Sequence, residues 1–280
     1  MSSPEVSVII PHLNDAKNLN KCLNGLLLQI GAPPFEVLIV DNGSEIVPWD
    51  LEQSYEFVQV YSELEPGPGP ARNTGVEKSR SKLLAFVDAD CRPASNWLSV
   101  IVKAFESEGS PEIIGGHVII EFSRRDDPTP VECYESIWSY RTKLYIERDG
   151  YAATCNMAAK KESFLRVGPF SGICAAEDQE WGRRAIAMGY KIGFEDKMVV
   201  FTPARKNFLA LTKKWDRQIG HDFNEVCDIS RKLRWLLRAL AISVSPLSEL
   251  PMVLHASHLR SNRKKIAAFF VLIGVRLHRA

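Results

Sequence analysis

The chain has no CxxC pair and no clustering of cysteine with histidine, so its sequence encodes neither a zinc module nor a dithiol redox centre. Its six cysteines (22, 91, 133, 155, 174 and 227) are scattered singly, the usage of a reducing compartment with mostly buried thiols. No charged segment followed by a long apolar stretch opens the sequence. MSSPEVSVII enters a strand at once, and no signal peptide is expected. The longest late apolar run, Ile266 to Val275, is ten residues, against the roughly 20 that a membrane-spanning helix needs. These absences point to a cytoplasmic protein. No GxGxxG follows the first strand, which argues against an NAD-dependent oxidoreductase. The same place carries PHLND, not the glycine-rich basic loop that a nucleotidyltransferase needs for phosphate. Internal repeats and low-complexity tracts are also absent.

What is present fits one large domain, or a domain with an appendage, with ample core in 280 residues. The net charge of +1 hides an asymmetry. From Pro203 onward there are 15 Lys/Arg against 5 Asp/Glu, which leaves 20 against 29 in the body. An acidic body with a basic tail gives only the tail a role at an anionic surface, and no nucleic-acid partner is expected.

Short apolar runs alternate with helical patterns. VSVII (6–10), closed by Pro11, FEVLIV (35–40), FVQVY (57–61) and LLAFV (83–87) read as strands, as does 113–120. Asn14 or Asp15 can cap a helix carrying Leu19, Leu23, Leu26 and Leu27 on one stripe. After the rigid EPGPGP, Pro70 suits the first turn of a helix from Ala71, and a further helix begins near Glu177 and stops at Gly189. The pattern predicts an α/β fold on a mostly parallel sheet. A soft boundary falls near 203, between a body (1–203, with halves of about 1–121 and 122–203) and a basic, amphipathic, helical region (204–280).

Several of these elements end in carboxylates. LLAFV runs into Asp88-Ala-Asp90, and FEVLIV into Asp41. In open α/β sheets ligands bind beyond the carboxyl ends of strands, and carboxylates gathered there suit a divalent cation such as Mg²⁺ or Mn²⁺. Read alone, Asp88 and Asp90 are equally ordinary turn residues. Arg72 and Asn73 would lie in the first turn of their helix, where free N–H groups favour an anion. Glu177, Asp178 and Glu180 either complement a helix dipole or place a general base beside Trp181.

Taken in order, VSVIIPHLND, FEVLIVDNGS, GPGPARNTG, LLAFVDADC, CNMAAKKESFLRVGPF, EDQEWGRRAIAMGYKIGF and VVFTPAR resemble the family-two glycosyltransferases of GT-A fold, over roughly residues 5–203. The resemblance implies a Rossmann-like sheet with flanking helices and a C-terminal helical extension. The implied reaction moves one sugar from a nucleoside-diphosphate sugar, UDP-linked by default, to a hydroxyl with inversion. A catalytically silent nucleotide-sugar-binding protein of the same fold is the alternative. The nucleotide would meet Pro11, Asp41, Arg72 and Asp88, and Asp90 would hold the metal. Asp178 would be the catalytic base, with Asn156, Glu177 and Trp181 shaping the sugar and acceptor pocket. His12 stands where many relatives carry an aromatic residue. No histidine follows VVF, and His221 is too distant to be given a role.

In the tail, Arg234, Arg238, Arg263, Lys264 and Lys265 flank Trp235, Leu236, Leu237, Phe269 and Phe270. That composition suits the headgroup layer of an anionic membrane, and a lipid-linked glycan acceptor with it. It suits equally well packing on the catalytic domain or on a second subunit of a homodimer.

Overall fold

The computed structural model describes residues 3–124, 126–172, 176–224 and 229–280, and it gives no side-chain placement at 217, 218, 220–224 and 229–232. The apolar runs become β1 (Val6–His12), β2 (Phe35–Asp41), β3 (Val58–Ser62) and β4 (Leu83–Val87). β1, β2 and β4 are buried nearly throughout, as strands covered on both faces are. β3 lies at the sheet edge and alternates buried with partly exposed residues. Four further strands are β5 (Arg92–Pro93), β6 (Ile113–Glu121), β7 (Asn156–Lys160) and β8 (Ile192–Pro203).

The sheet order is β3-β2-β1-β4-β7-β6-β8-β5. β3 to β4 are mutually parallel, whereas β4 with β7, β6 with β7, and β5 with β8 are antiparallel. The parallel character read from the alternating elements therefore belongs to the first half of an α/β sheet. β1 also continues two residues past Ile10, pairing Pro11 with Val40 and His12 with Asp41. Its pairing with β4, by contrast, ends at Ile9 and Phe86.

The helices are α1 (Ala16–Leu27), α2 (Leu51–Ser54), α3 (Pro68–Lys78), α4 (Trp97–Glu106), α5 (Pro130–Trp138) and α6 (Thr142–Glu147). There follow α7 (Lys161–Val167), α8 (Glu177–Ala187), α9 (Phe208–Asn224), α10 (Ile229–Val244), α11 (Leu250–His255) and α12 (Asn262–Arg279). Asp15 caps α1 by accepting the Asn18 N–H. α3 starts at Pro68, three residues before the expected Ala71, because Pro68 itself takes the first helical position.

Contacts divide the chain into two compact units, Met1–Ile119 with Arg141–Thr202, and Ile120–Tyr140 with Pro203–Ala280. Ile120–Tyr140 thus groups with the C-terminal helices and not with the 122–203 half. The physical reason is α5. Thr129 caps it reciprocally with Glu132, and its Val131, Tyr134 and Trp138 share a core with Ala268, Leu272 and Val275 of α12. The first unit has its own core, in which Ile9, Leu84 and Phe86 of the sheet meet Phe164, Phe170 and Trp181.

Candidate functional site

Beyond Ile9 and Phe86, where β1 and β4 cease to pair, the sheet has its topological switch point. The chain goes from β1 outward to β2 and β3, then returns to the other side for β4. An open α/β sheet binds ligands at such a point. Pro11, Asp41, Asp88 and Asp90 all sit at the ends of strands around it.

Asp41 is fully buried and its carboxylate is taken up by the protein. One oxygen accepts the N–H groups of Gly43 (3.2 Å) and Ser44 (2.9 Å), and the other lies 2.9 Å from Nδ1 of His12. Nε2 of His12 accepts the Asp15 N–H at 3.2 Å, so Nδ1 carries the ring proton and donates it to Asp41. Burial works against ionising Asp41, but the bonds from Ser44 and His12 outweigh it and hold the carboxyl below its ordinary range. The base contact that the resemblance implies would have to use the remaining acceptor site, on Oδ2. His12 therefore has a part the sequence did not reveal. It fixes Asp41 from the adjacent strand, at a position where a stacking ring was the natural comparison.

Arg72 lies further along α3 than expected, in its second turn, and its side chain is 3% exposed. One amino group donates to Asp88 at 2.7 Å and the other to Glu177 at 2.9 Å, while Nε has no partner. The two carboxylates keep Arg72 charged against the desolvation that would discharge it. Asn73 is not free for an anion, because it exchanges two hydrogen bonds with the backbone of Phe170. Close backbone approach places α3 here. A Cβ on Gly69 would meet the Ser171 carbonyl oxygen at 2.2 Å, and one on Gly75 would meet Ile9 at 2.4 Å.

Arg72 thereby ties the end of β4 to the start of α8, where Asp178 follows Glu177. Desolvation by burial, then the neighbouring Glu177 charge, push the Asp178 carboxyl up to about 6 from an ordinary 3.8. Its contact within α8 is the Gln179 N–H, 2.8 Å from Oδ1. Tyr145 and Tyr151, whose rings stack 5.1 Å apart, feel the Asp178 charge, and burial raises both phenols. Neither tyrosine belongs to a motif that sequence reasoning singled out. Glu180 is engaged elsewhere, by Ser171 and Arg184.

Two expected pocket residues turn out to be core. Asn156 accepts from Trp97 Nε1 at 2.8 Å and donates to the carbonyls of His117 (2.8 Å) and Met198 (2.9 Å), so it knots α4 to β6 and β8. Trp181 is buried against Phe164 and Phe170, and its indole N–H donates to the Gly168 carbonyl at 2.8 Å. Apolar burial drew Trp181 inward, and three good partners did the same for Asn156.

Asp90, in contrast, is exposed, and Asp88 is 37% exposed despite its bond to Arg72. Among the described residues no group of three or more His, Cys, Asp and Glu side chains is poised to hold a metal. Asp90 with Asp88 fits a cation that takes only one or two carboxylates and completes its shell with phosphate oxygens and water. His221 lies outside the residues whose side chains are described.

A family model described as glycosyl transferase family 2 matches residues 7–168. The chain belongs to that family. It is a glycosyltransferase, and the α/β sheet is that of the GT-A fold. Glycosyltransferase AglE of Haloferax volcanii is 35% identical over 97% of this chain and 91% of its own length. A pre-mycofactocin glycosyltransferase of Mycobacterium tuberculosis is 27% identical over 69% of the chain, which spans 42% of that relative. Among solved structures, S. aureus TarS 1–349 in complex with UDP-GlcNAc superimposes with a TM-score of 0.56 at 17% identity, covering 96% of this chain and 81% of that 1–349 chain. Mannosyltransferase PcManGT from Pyrobaculum calidifontis, in complex with GDP-Man and Mn²⁺, gives 0.57 at 16% identity over 100% of this chain and 86% of its own.

Proposed function

We propose that this glycosyltransferase moves a single sugar from a nucleoside-diphosphate sugar to an acceptor hydroxyl with inversion, and that Asp178 is its general base. The observation that carries the reading is the Asp178 carboxyl, raised to about 6 beside a pair of tyrosines and the Arg72 bridge. A base poised near the working pH is ionised at pH 7 yet basic enough to take a proton in the transition state. The acceptor oxygen attacks the anomeric carbon from the face opposite the diphosphate and forms the new C–O bond. The bond to the diphosphate oxygen breaks and its electron pair leaves with the nucleotide, while the acceptor proton passes to Asp178.

Arg72 offsets one of the two negative charges of Asp88 and Glu177, which lowers their repulsion toward Asp178 and a diphosphate in the same crevice. Asp41, held by His12, Gly43 and Ser44, forms the nucleotide end behind Pro11. Asp90, with Asp88, would hold Mn²⁺ or Mg²⁺, which when bound offsets the charge on the departing diphosphate. TarS is complexed with UDP-GlcNAc and PcManGT with GDP-Man, which supports a nucleotide-sugar donor and leaves both bases in play. The acceptor is read as a hydroxyl in surface polysaccharide or glycolipid assembly. The free, buried thiols of Cys22, Cys91, Cys133 and Cys155 suit the cytoplasm.

The test is a thermal-shift panel of nucleotide sugars with and without Mn²⁺, on wild type and Asp90→Asn, followed by nucleotide release with the best donor. A true donor raises the melting midpoint by mass action, more so with the metal, and the metal increment vanishes in Asp90→Asn. A donor that binds but is never turned over would make the chain a silent binder.

A further inference from the structure

The outward side of α10 is apolar. Leu233, Leu236, Leu237, Leu240 and Val244 recur at helical spacing, each between 57% and 66% exposed, and Leu247 of the turn that follows is 69% exposed. A contiguous patch of this kind marks an interaction surface. By length and composition the segment Leu233–His255, 23 residues, is enough to cross a membrane. Charged Arg234 and Arg238 interrupt it, so in the sequence it is no continuous apolar run.

The packing argues against crossing. A 3₁₀ turn, Ser245–Glu249, links α10 to α11, and its inner side is anchored. Glu249 accepts the Trp138 indole N–H at 3.1 Å and pairs with Arg276 at 3.3 Å. Val253 of α11 lies in the core with Leu259 and Leu272. A spanning helix would have to break these contacts and carry Glu249 into hydrocarbon. A segment packed on one side and leucine-rich on the other is built to lie flat.

Charge decides between the two occupants such a face could have. Arg234 and Arg238 are exposed on α10 itself, and Arg260 and Arg263 are exposed where the chain passes to α12. From Pro203 onward the chain carries 15 basic against 5 acidic residues. A two-fold contact between copies would set that excess against itself, because both partners offer the same patch. An anionic lipid surface complements it. We infer that the α10–α11 face docks on an anionic bilayer, its leucines entering the headgroup–acyl boundary and its arginines meeting lipid phosphates. Docking would confine the enzyme to acceptors carried on the same surface, such as lipid-linked glycans. The docking itself does not depend on how sugar transfer proceeds.

The experiment uses the full chain without nucleotide, sedimented with vesicles of phosphatidylcholine alone or mixed with phosphatidylglycerol, at about 0.05 M and about 0.5 M salt. Wild type is expected to pellet with the phosphatidylglycerol vesicles at low salt and much less at high salt. Leu236→Glu/Leu240→Glu should lose at least about 10-fold of that binding with its melting temperature kept, because insertion scales with buried apolar area. Arg234→Gln/Arg238→Gln should flatten the salt dependence. Ile46→Glu, a still more exposed apolar site in the first unit, should bind as wild type does. Failure to pellet at low salt, or pelleting that the double glutamate variant leaves unchanged, overturns the inference. If light scattering then shows a dimer that Leu236→Glu/Leu240→Glu splits, the face is an interface between copies.

Discussion

In the first unit, the charged groups that lost water found partners inside the protein. Arg72 sits between Asp88 and Glu177, and Asp41 is held by His12 and two backbone N–H groups. Glu36 accepts from Ser7 and Arg80. In the second unit the apolar core is closed by α5 and α12, and large apolar side chains remain outside on α10 and α11. Keeping charge in low-dielectric surroundings is costly unless it is paired, and in the first unit Arg72 and Asp41 meet that requirement at the strand ends where we propose the nucleotide binds. Both units expose large apolar side chains, but those of α10 recur along one helical stripe, the face we infer to dock. Asp178 departs from the pairing seen in the first unit, raised by burial and by the like charge of Glu177 beside it.

That exception gives the largest predicted effect. Asp178→Asn should cut turnover at least about 10²-fold, since a positioned base is worth roughly 10²–10⁴, with donor affinity nearly unchanged. It should not lower the melting temperature at pH 7. A carboxyl raised in the folded state costs folding free energy once ionised, so wild type should lose stability relative to the variant as pH rises from 3.8 through about 6. Differential scanning across that window reads the sign. A variant less stable throughout would mean that Asp178 serves only the helix start.

Arg72→Met comes next and attacks the pairing itself. It leaves Asp88 and Glu177 facing each other without a counter-charge. The cost should be about 3 kcal/mol in urea unfolding, the low end for a broken buried pair because both carboxylates keep some water. The Asp178 carboxyl should rise further, since the Arg72 charge now lowers it. An unfolding midpoint within error of wild type would show that the bridge is incidental.

The smallest effect belongs to the second unit. Leu237→Gln should change stability by less than about 0.5 kcal/mol and leave turnover with a water-soluble acceptor unchanged, because its side chain packs on little. A fall of several degrees would place α10 in a core and erase the contrast between the units.

Much of this architecture is legible in the sequence because it is written locally. Short apolar runs bounded by turns give β1, β2 and β4, and the stripe of Leu19, Leu23 and Leu26 gives α1. The ordered motifs lead to the switch point and to the carboxylates around it. What local pattern could not reveal is pairing over distance. Arg72 and Glu177 are 105 residues apart, and nothing near either says that they meet. Asn156 and Trp181 look like pocket residues until the partners that bury them are known. The antiparallel pairing of β7 with β4 and β6 depends on how the chain re-enters the sheet, which periodicity does not record. On α10 the apolar stripe is plain in sequence, but which side of it the rest of the unit covers is a tertiary fact.

The central claim is that Asp178 takes the acceptor proton with a carboxyl raised by burial and by Glu177. The most direct test is the pH dependence of kcat/KM under saturating donor, for wild type and for Glu177→Gln. The account predicts an acid limb that is half-maximal near pH 6 in wild type, since the rate follows the ionised base. In Glu177→Gln the limb should move toward the ordinary carboxyl value of 3.8, because the neighbouring negative charge is gone and Arg72 remains. A limb that lies at the same pH in both proteins, or a rate that does not fall on acidification, would contradict the assignment of Asp178 as the base.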